Sequence, residues 1–371
     1  MANKTVPFFD YPKLWTSQRE KLIEIIDTTA SSGGFIMQAA VTEFEENLAG
    51  FVGSPFAVGV GNATDAMEIF LEAIGLESGD EVIISSHTML ATASAVRVAG
   101  GVPIPVDIGP DNLIDPDAIE SAITSRTVGI MPTQLNGRVC DMDRVCGIAE
   151  KYGLFIVEDA AQALGAKYKE VSAGTFGLAS CISFFPAKVL GCLGDAGAVL
   201  VRDKHLFESV YQIHDHGRDH SDGEVKRWGR NSRIDNIQAA ILLSKLDSYD
   251  MVIARRRELA ALYEARLSLL DELTLPPAPD SNSDHFDVFQ NYELAADRRD
   301  ALKIWLAESG VGTLIQWGGK AVHHFNNLGF RQECPATDRF FTKCIMLPMN
   351  VFISDEDAHY VCDQIFEFYR S

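Results

Sequence analysis

The stretch from Asp141 to Ala166, DMDRVCGIAEKYGLFIVEDAAQALGA, decides how the rest of the chain reads. Asp141 stands where a helix cap is wanted, Met142, Val145, Ile148 and Ala149 fall on one helical face, and Gly153 closes the helix. The run LFIVED that follows (154–159) is apolar without alternation, as in a strand covered on both faces, and it ends on two acids. The same texture extends outward in both directions. EVIIS (81–85), VPIPVDI (102–108), VGIMPT (128–133), CISFF (181–185) and AVLVR (198–202) are short apolar runs between about residues 55 and 202, separated by helical patterns. The expectation is an α/β domain with a mainly parallel (mixed) sheet flanked by helices.

From about residue 251 the texture changes. ARRRELAALYEARLSLL puts Leu259, Leu262, Tyr263, Leu267 and Leu270 on one side of a helix. PPAPDSNSDH, next along the chain, is rich in turn formers, and the remainder reads as a smaller α+β unit. The chain therefore divides into a large domain, residues 1–250, and a small C-terminal domain, residues 251–371.

With 47% hydrophobic and 23% charged residues, the chain has the balance of a soluble globular protein. A net charge of -20 argues against nucleic acid and anionic membrane as partners. The seven cysteines include no C-x-x-C pair, which favours a reduced, cytoplasmic chain over a disulfide framework, and no metal site is expected. MANKTVPFFDYPKLW lacks the apolar core of a signal peptide, and no run is long enough to span a membrane.

In an open α/β sheet, ligands sit beyond the carboxyl ends of the strands, where Asp159 falls. Alone, that aspartate reads equally well as a helix cap. Three further features give it company. Gln162 follows it closely, and SFFPAKVLGCLGDAGAVLV places Ser183 at a strand and Lys188 in a turn ahead of Gly191, Gly194 and Gly197. That run is neither a dinucleotide fingerprint nor a phosphate loop. VGVGNATDAMEIFLEAIG (58–75) leads a small-residue turn, Gly61–Thr64, into an amphipathic helix whose free N–H groups suit a phosphate, Thr64 or Asp65 as a simple cap being the alternative. A phosphate cradle, a carboxylate and a loop lysine are what pyridoxal 5'-phosphate needs. The lysine amine bonds the aldehyde and later moves a proton, while the carboxylate keeps the pyridine nitrogen protonated.

Five blocks carry a resemblance over almost the whole chain: FEENLAGFVGSPFAVGVGNATDAM, GDEVIISSHTMLATASAVRVAGGVPIPVDI, EDAAQALGA, SFFPAKVLGCLGDAGAVL and NSRIDNIQAAIL. In order and spacing they resemble the DegT–StrS family of pyridoxal-phosphate-dependent sugar aminotransferases, of the aspartate-aminotransferase fold. The resemblance implies Lys188 as the Schiff-base lysine, Asp159 as partner of the pyridine nitrogen and Gln162 at the ring hydroxyl. It implies Ser183 and the Ala63–Thr64 turn at the phosphate, and Asn231 at the phosphate of the neighbouring subunit's cofactor, hence a homodimer with shared active sites. His323, with His324 next to it, matches a histidine near the sugar.

Three departures stand out. Thr88–Met89 replaces a threonine–aromatic pair, so either Met89 packs on the cofactor ring or His87 takes part. Ala63 replaces a glycine. Arg230 replaces an aromatic residue and, with Arg218, Arg227 and Arg233, reads as a site for a nucleotide-sugar diphosphate or as exposed loop arginines. The implied activity is transfer of an amino group, from L-glutamate by family habit, to C3 or C4 of a nucleotide-linked keto-sugar, in amino-sugar biosynthesis for a polysaccharide or antibiotic. The alternatives are a sugar dehydratase, which would have histidine in place of Lys188, a cyclitol aminotransferase, and a regulator that binds the cofactor without turnover.

Overall fold

The computed structural model describes residues 4–371; the first three residues of the N-terminal stretch read above, and of the expected large domain, lie outside the described residues. The apolar runs form a seven-stranded sheet from β1 (Phe56–Val60), β2 (Glu81–Ser85), β3 (Val102–Val106), β4 (Thr127–Met131), β5 (Phe155–Asp159), β6 (Ala179–Ser183) and β7 (Gly197–Val201). Their spatial order is β1-β7-β6-β5-β4-β2-β3. Every pairing is parallel except those of β7, which runs against both β1 and β6. The fold is the expected mainly parallel α/β sheet.

Alternation within each strand explains why the runs are apolar throughout. Ile83, Ile130, Ile156 and Ile182 enter one core, while their neighbours Val82, Met131, Val157 and Cys181 enter the core on the opposite face. Each fully buried aliphatic side chain contributes roughly 1.5–3 kcal/mol. Helices α1 (Tyr11–Ser32), α2 (Ala39–Val52), α3 (Ala63–Ala73), α4 (Leu90–Val98), α5 (Pro116–Ala122), α6 (Met142–Tyr152), α7 (Lys204–His214) and α8 (Asn236–Leu246) accompany the sheet. The opening stretch folds as read. The Asp141 carboxylate accepts the Arg144 N–H at 3.2 Å, and Gly153 closes α6 at φ +67°.

Two readings shift. β1 is not among the expected strands, because Ala57 and Gly59 break up its larger apolar residues, Phe56, Val58 and Val60. The run read as 181–185 pairs as Ala179–Ser183, which leaves Phe185 outside the sheet.

A third core joins α9 (Tyr249–Leu267) to a three-stranded antiparallel sheet, β8 (Leu273–Thr274), β9 (Tyr292–Ala296) and β10 (Cys344–Leu347). Helices α10 (Arg299–Glu308), α11 (Pro335–Phe341) and α12 (Asp355–Arg370) complete this part of the chain. Leu259, Tyr263 and Leu267 are fully buried in that core, and Leu262 and Leu270 pack at its edge.

Candidate active site

Beyond the carboxyl ends of the parallel strands lies a cavity of about 410 Å³. β5 delivers Asp159 to it, the loop after β6 delivers Lys188, and the turn after β1 delivers Asn62 and the start of α3. The reversed β7 begins at this same end, at Gly197, so four strands converge on one rim.

The two acids that end β5 part company because strand neighbours face opposite ways. Glu158 points away from the cavity and is held by the Gln134 amide at 2.7 Å and by the N–H groups of Gly174 and Phe176 at 3.0 and 2.8 Å. It is a buried structural carboxylate, its pKa raised by burial against those donors. Asp159 lines the cavity and is 5% exposed. Three threonines orient it: Thr133 donates to Thr88 at 2.8 Å, Thr88 and Thr92 share a bond at 2.8 Å, and Thr92 donates to Asp159 Oδ2 at 2.7 Å. Oδ1 accepts the Ala161 N–H at 3.2 Å. Burial raises the Asp159 pKa, opposed by the Thr92 and Ala161 bonds and the positive charge of Lys188. Apart from Thr88, these threonines escaped sequence reading, since hydroxyls scattered over the loops after β4 and β2 and over α4 share no spacing.

Burial pulls the Lys188 amine down to about 8, with the Asp159 charge acting in the opposite direction. An amine with that pKa carries a substantial neutral, nucleophilic fraction near neutral pH. Gln162 also lines the cavity. Its Oε1 accepts the Asn136 N–H at 2.9 Å and the Asn291 amide at 3.4 Å, so its own NH₂ group is left for the cavity side.

At the start of α3 the cap is Asn62, not Thr64 or Asp65: its Oδ1 accepts the Asp65 N–H at 2.9 Å, and its carbonyl accepts the Ala66 N–H at 3.1 Å. The N–H groups of Ala63 and Thr64 have no acceptor among the described residues, and both residues line the cavity with Ser183. Gly197 makes this approach feasible. A Cβ there would lie 2.5 Å from the Asn62 carbonyl carbon and 2.6 Å from the Ala63 nitrogen. The arrangement leaves free N–H donors at the positive end of an 11-residue helix, which is what an anion site requires.

The sequence model of the DegT/DnrJ/EryC1/StrS aminotransferase family matches residues 16–366. The chain belongs to this family. It is 35% identical to the UDP-2-acetamido-2-deoxy-3-oxo-D-glucuronate aminotransferase of Pseudomonas aeruginosa, over 96% of this chain and 98% of that protein. It is also 35% identical to a pleiotropic regulatory protein of Geobacillus stearothermophilus, over 98% and 99% of the two chains. Among solved structures, DesV of Streptomyces venezuelae in complex with a ketimine intermediate superposes with a TM-score of 0.94 at 33% identity, covering 99% of each chain.

In this DegT/DnrJ/EryC1/StrS family member, Met89 lines the cavity and is 56% exposed, whereas His87 turns inward and bonds the Asn112 carbonyl at 3.0 Å. Trp317, which sequence reading did not single out, lines the cavity from the C-terminal part of the chain, as does Asp195 from the glycine-rich loop.

The remaining expected residues lie elsewhere. Arg230 pairs with Glu68 and, at 2.6 Å, with Glu72 on the outer face of α3, so its charge is already engaged. Arg233 pairs with Asp215 at 2.9 Å, while Arg218 and Arg227 are exposed. Asn231 is exposed and is not part of this chain's cavity lining. His323 and His324 both turn to Asp338 Oδ1, at 3.0 and 2.6 Å, and neither lines the cavity.

Proposed function

We propose that this chain is a pyridoxal 5'-phosphate-dependent aminotransferase that moves an amino group, from L-glutamate, to the keto carbon, C3 or C4, of a nucleotide-linked deoxysugar. The observation that carries the reading is the meeting of Lys188, Asp159 and the unbonded N–H groups of Ala63 and Thr64 on one cavity. These residues fit the cofactor. The two free N–H groups and the Ser183 hydroxyl suit a phosphate, Asp159 suits a protonated ring nitrogen, and the free NH₂ of Gln162 suits a ring oxygen. When bound, the cofactor supplies an electron sink for the carbon that gains or loses the amine.

The chain's own residues do the rest. Asp159, held by Thr92, would keep a proton on the ring nitrogen. Lys188 would hold the cofactor covalently through its Nζ. With the cofactor bound, the Lys188 Nζ would be the group that takes a proton from the α-carbon of glutamate and returns one to the sugar carbon; a pKa of about 8 would suit both duties. Met89, which lines the cavity, would offer its sulfur to the ring. Arg230 and His323 are left out of the site, since each is already paired.

We further infer a homodimer in which Asn231 completes the neighbouring site. Supporting this, Asn231 is exposed, and nearby Trp228 is 92% exposed, a large apolar surface for a lone chain. A large domain of residues 1–250 and a small one of 251–371 is supported by the third core, whose buried residues, among those described, come from 259–368 and from Val6. The seven unpaired cysteines favour a cytoplasmic setting.

The test is multiple-turnover formation of 2-oxoglutarate from glutamate in the presence of nucleotide keto-sugars. Dependence on the sugar, and loss in Lys188→Ala, support the proposal; turnover that survives Lys188→Ala overturns it. The Geobacillus relative's name favours a second reading, a regulator that holds the cofactor, for which no keto-sugar would sustain turnover.

A further inference from the structure

Gln290, just ahead of β9, is 7% exposed, and its side chain ends on the backbone of the lysine loop. Its Nε2 donates to the Ala187 carbonyl at 2.9 Å, and its Oε1 accepts the Val189 N–H at 2.9 Å. Those two peptide groups flank Lys188. Only a side chain that donates and accepts side by side satisfies both, so the amide clamps the loop on each side of the lysine.

The clamp stands on a fixed base. Arg256 of α9, 8% exposed, donates through Nη1 to the carbonyls of Phe289 and Gln290 at 2.9 and 3.1 Å. Phe289 itself sits at φ +50°, a conformation that a bulky residue adopts only when its surroundings impose it. On the other flank the Val288 N–H bonds the Gly137 carbonyl at 2.9 Å. A Cβ at Gly137 would lie 2.7 and 2.8 Å from the Phe289 and Gln290 nitrogens, so the glycine turn is pressed against this segment. That turn includes Asn136, whose N–H orients Gln162 at 2.9 Å.

We propose that Gln290 is a positioning residue for Lys188, and that Val288–Gln290 sets the lysine loop and the Gln162 turn in register from the C-terminal part of the chain. This rests on the reading of Lys188 as the cofactor lysine. A lysine displaced along its loop misaligns its Nζ both with the cofactor it anchors and with the carbon whose proton it moves. Misplacement of this kind, of order 1 Å, costs about 100-fold in rate.

The experiment uses the holoenzyme and two variants, with melting temperature and cofactor content as controls. Gln290→Leu removes both bonds. It should lower kcat by roughly 10–100-fold, with KM for the keto-sugar within about 3-fold of wild type. It should also move the pH midpoint of the cofactor's visible band by about half a pH unit or more. Gln290→Glu accepts from Val189 when ionised but faces the Ala187 carbonyl without a proton; protonated, it restores both bonds. Its activity relative to wild type should therefore rise as pH falls, which a purely structural contact would not produce. Should the leucine variant fail to fold, the glutamate profile decides. A flat ratio from about pH 6 to 9 overturns the proposal, as does a leucine variant with wild-type kcat and band. If the wild-type band is absent, or survives Lys188→Ala unchanged, the cofactor reading fails instead, and the two failures are distinguishable.

Discussion

Replacing Lys188 by methionine should stabilise the cofactor-free protein. Burial pulls this amine from 10.5 to about 8, so the folded state holds its charged form at a disadvantage. A shift of that size corresponds to about 3 kcal/mol. The residue as a whole is only part-buried, so solvent screening brings the expected gain to about 1–3 kcal/mol. Methionine is similar in length, flexible and uncharged, and so refills the space.

The sign with pH follows from proton counting. The folded pKa lies below the unfolded one, so between pH 8 and 10.5 the unfolded chain binds more protons. The penalty is complete below about pH 8 and fades as pH rises through that window. For a chain of 371 residues the unfolding entropy is about 0.8 kcal/mol per degree, so the melting temperature should rise by about 1–4 °C at pH 7. Thermal melts of the two apo-proteins at pH 7 and near pH 10 make the test. A variant that melts at or below wild type at pH 7 would refute the reasoning, and so would a gap that stays constant to pH 10.

Three further outcomes are expected. Asp159→Asn, which removes the buried charge from the cavity, should lower kcat by about 100-fold or more in steady-state assays. Gly197→Ala drives a Cβ into the backbone of Asn62 and Ala63, and should weaken cofactor retention by about 10-fold, read by titrating the apo-protein with pyridoxal phosphate. Arg230→Ala leaves Glu68 and Glu72 unpaired on α3 and should cost about 1–2 kcal/mol in denaturant melts. It should leave KM for the nucleotide-sugar within about 2-fold, whereas a diphosphate-binding arginine would raise it about 10-fold or more.

What was legible in the sequence follows from what leaves a local trace. Strands buried on both faces announce themselves as unbroken apolar runs, and α6 carried its own cap and stop, so the sheet and its rim could be placed. β1 lacked a bulky run, and the reversal of β7 is a property of pairing, which no local pattern encodes. Asp159 and Lys188 stood out because a strand-end acid and a loop lysine joined a helix start in one chemistry. Gln290, Trp317 and the threonines around Asp159 did not, because each acts on residues distant in sequence: Gln290 bonds Val189 and Ala187, on either side of Lys188, across 101 and 103 positions. The arginine stretch shows the opposite limit of a local pattern. Four basic residues close together look like an anion site, yet the acids that engage Arg230 lie about 160 positions away on α3.

The central claim is that Lys188 anchors a cofactor that accepts an amine. The most direct test is the visible absorption spectrum of the purified protein, before and after L-glutamate, with Lys188→Ala alongside. The account predicts a cofactor band that fades on adding glutamate, returns when a nucleotide keto-sugar is supplied, and is missing or altered in the variant. No band after incubation with pyridoxal phosphate, or a band indifferent to both glutamate and the loss of Lys188, would contradict it.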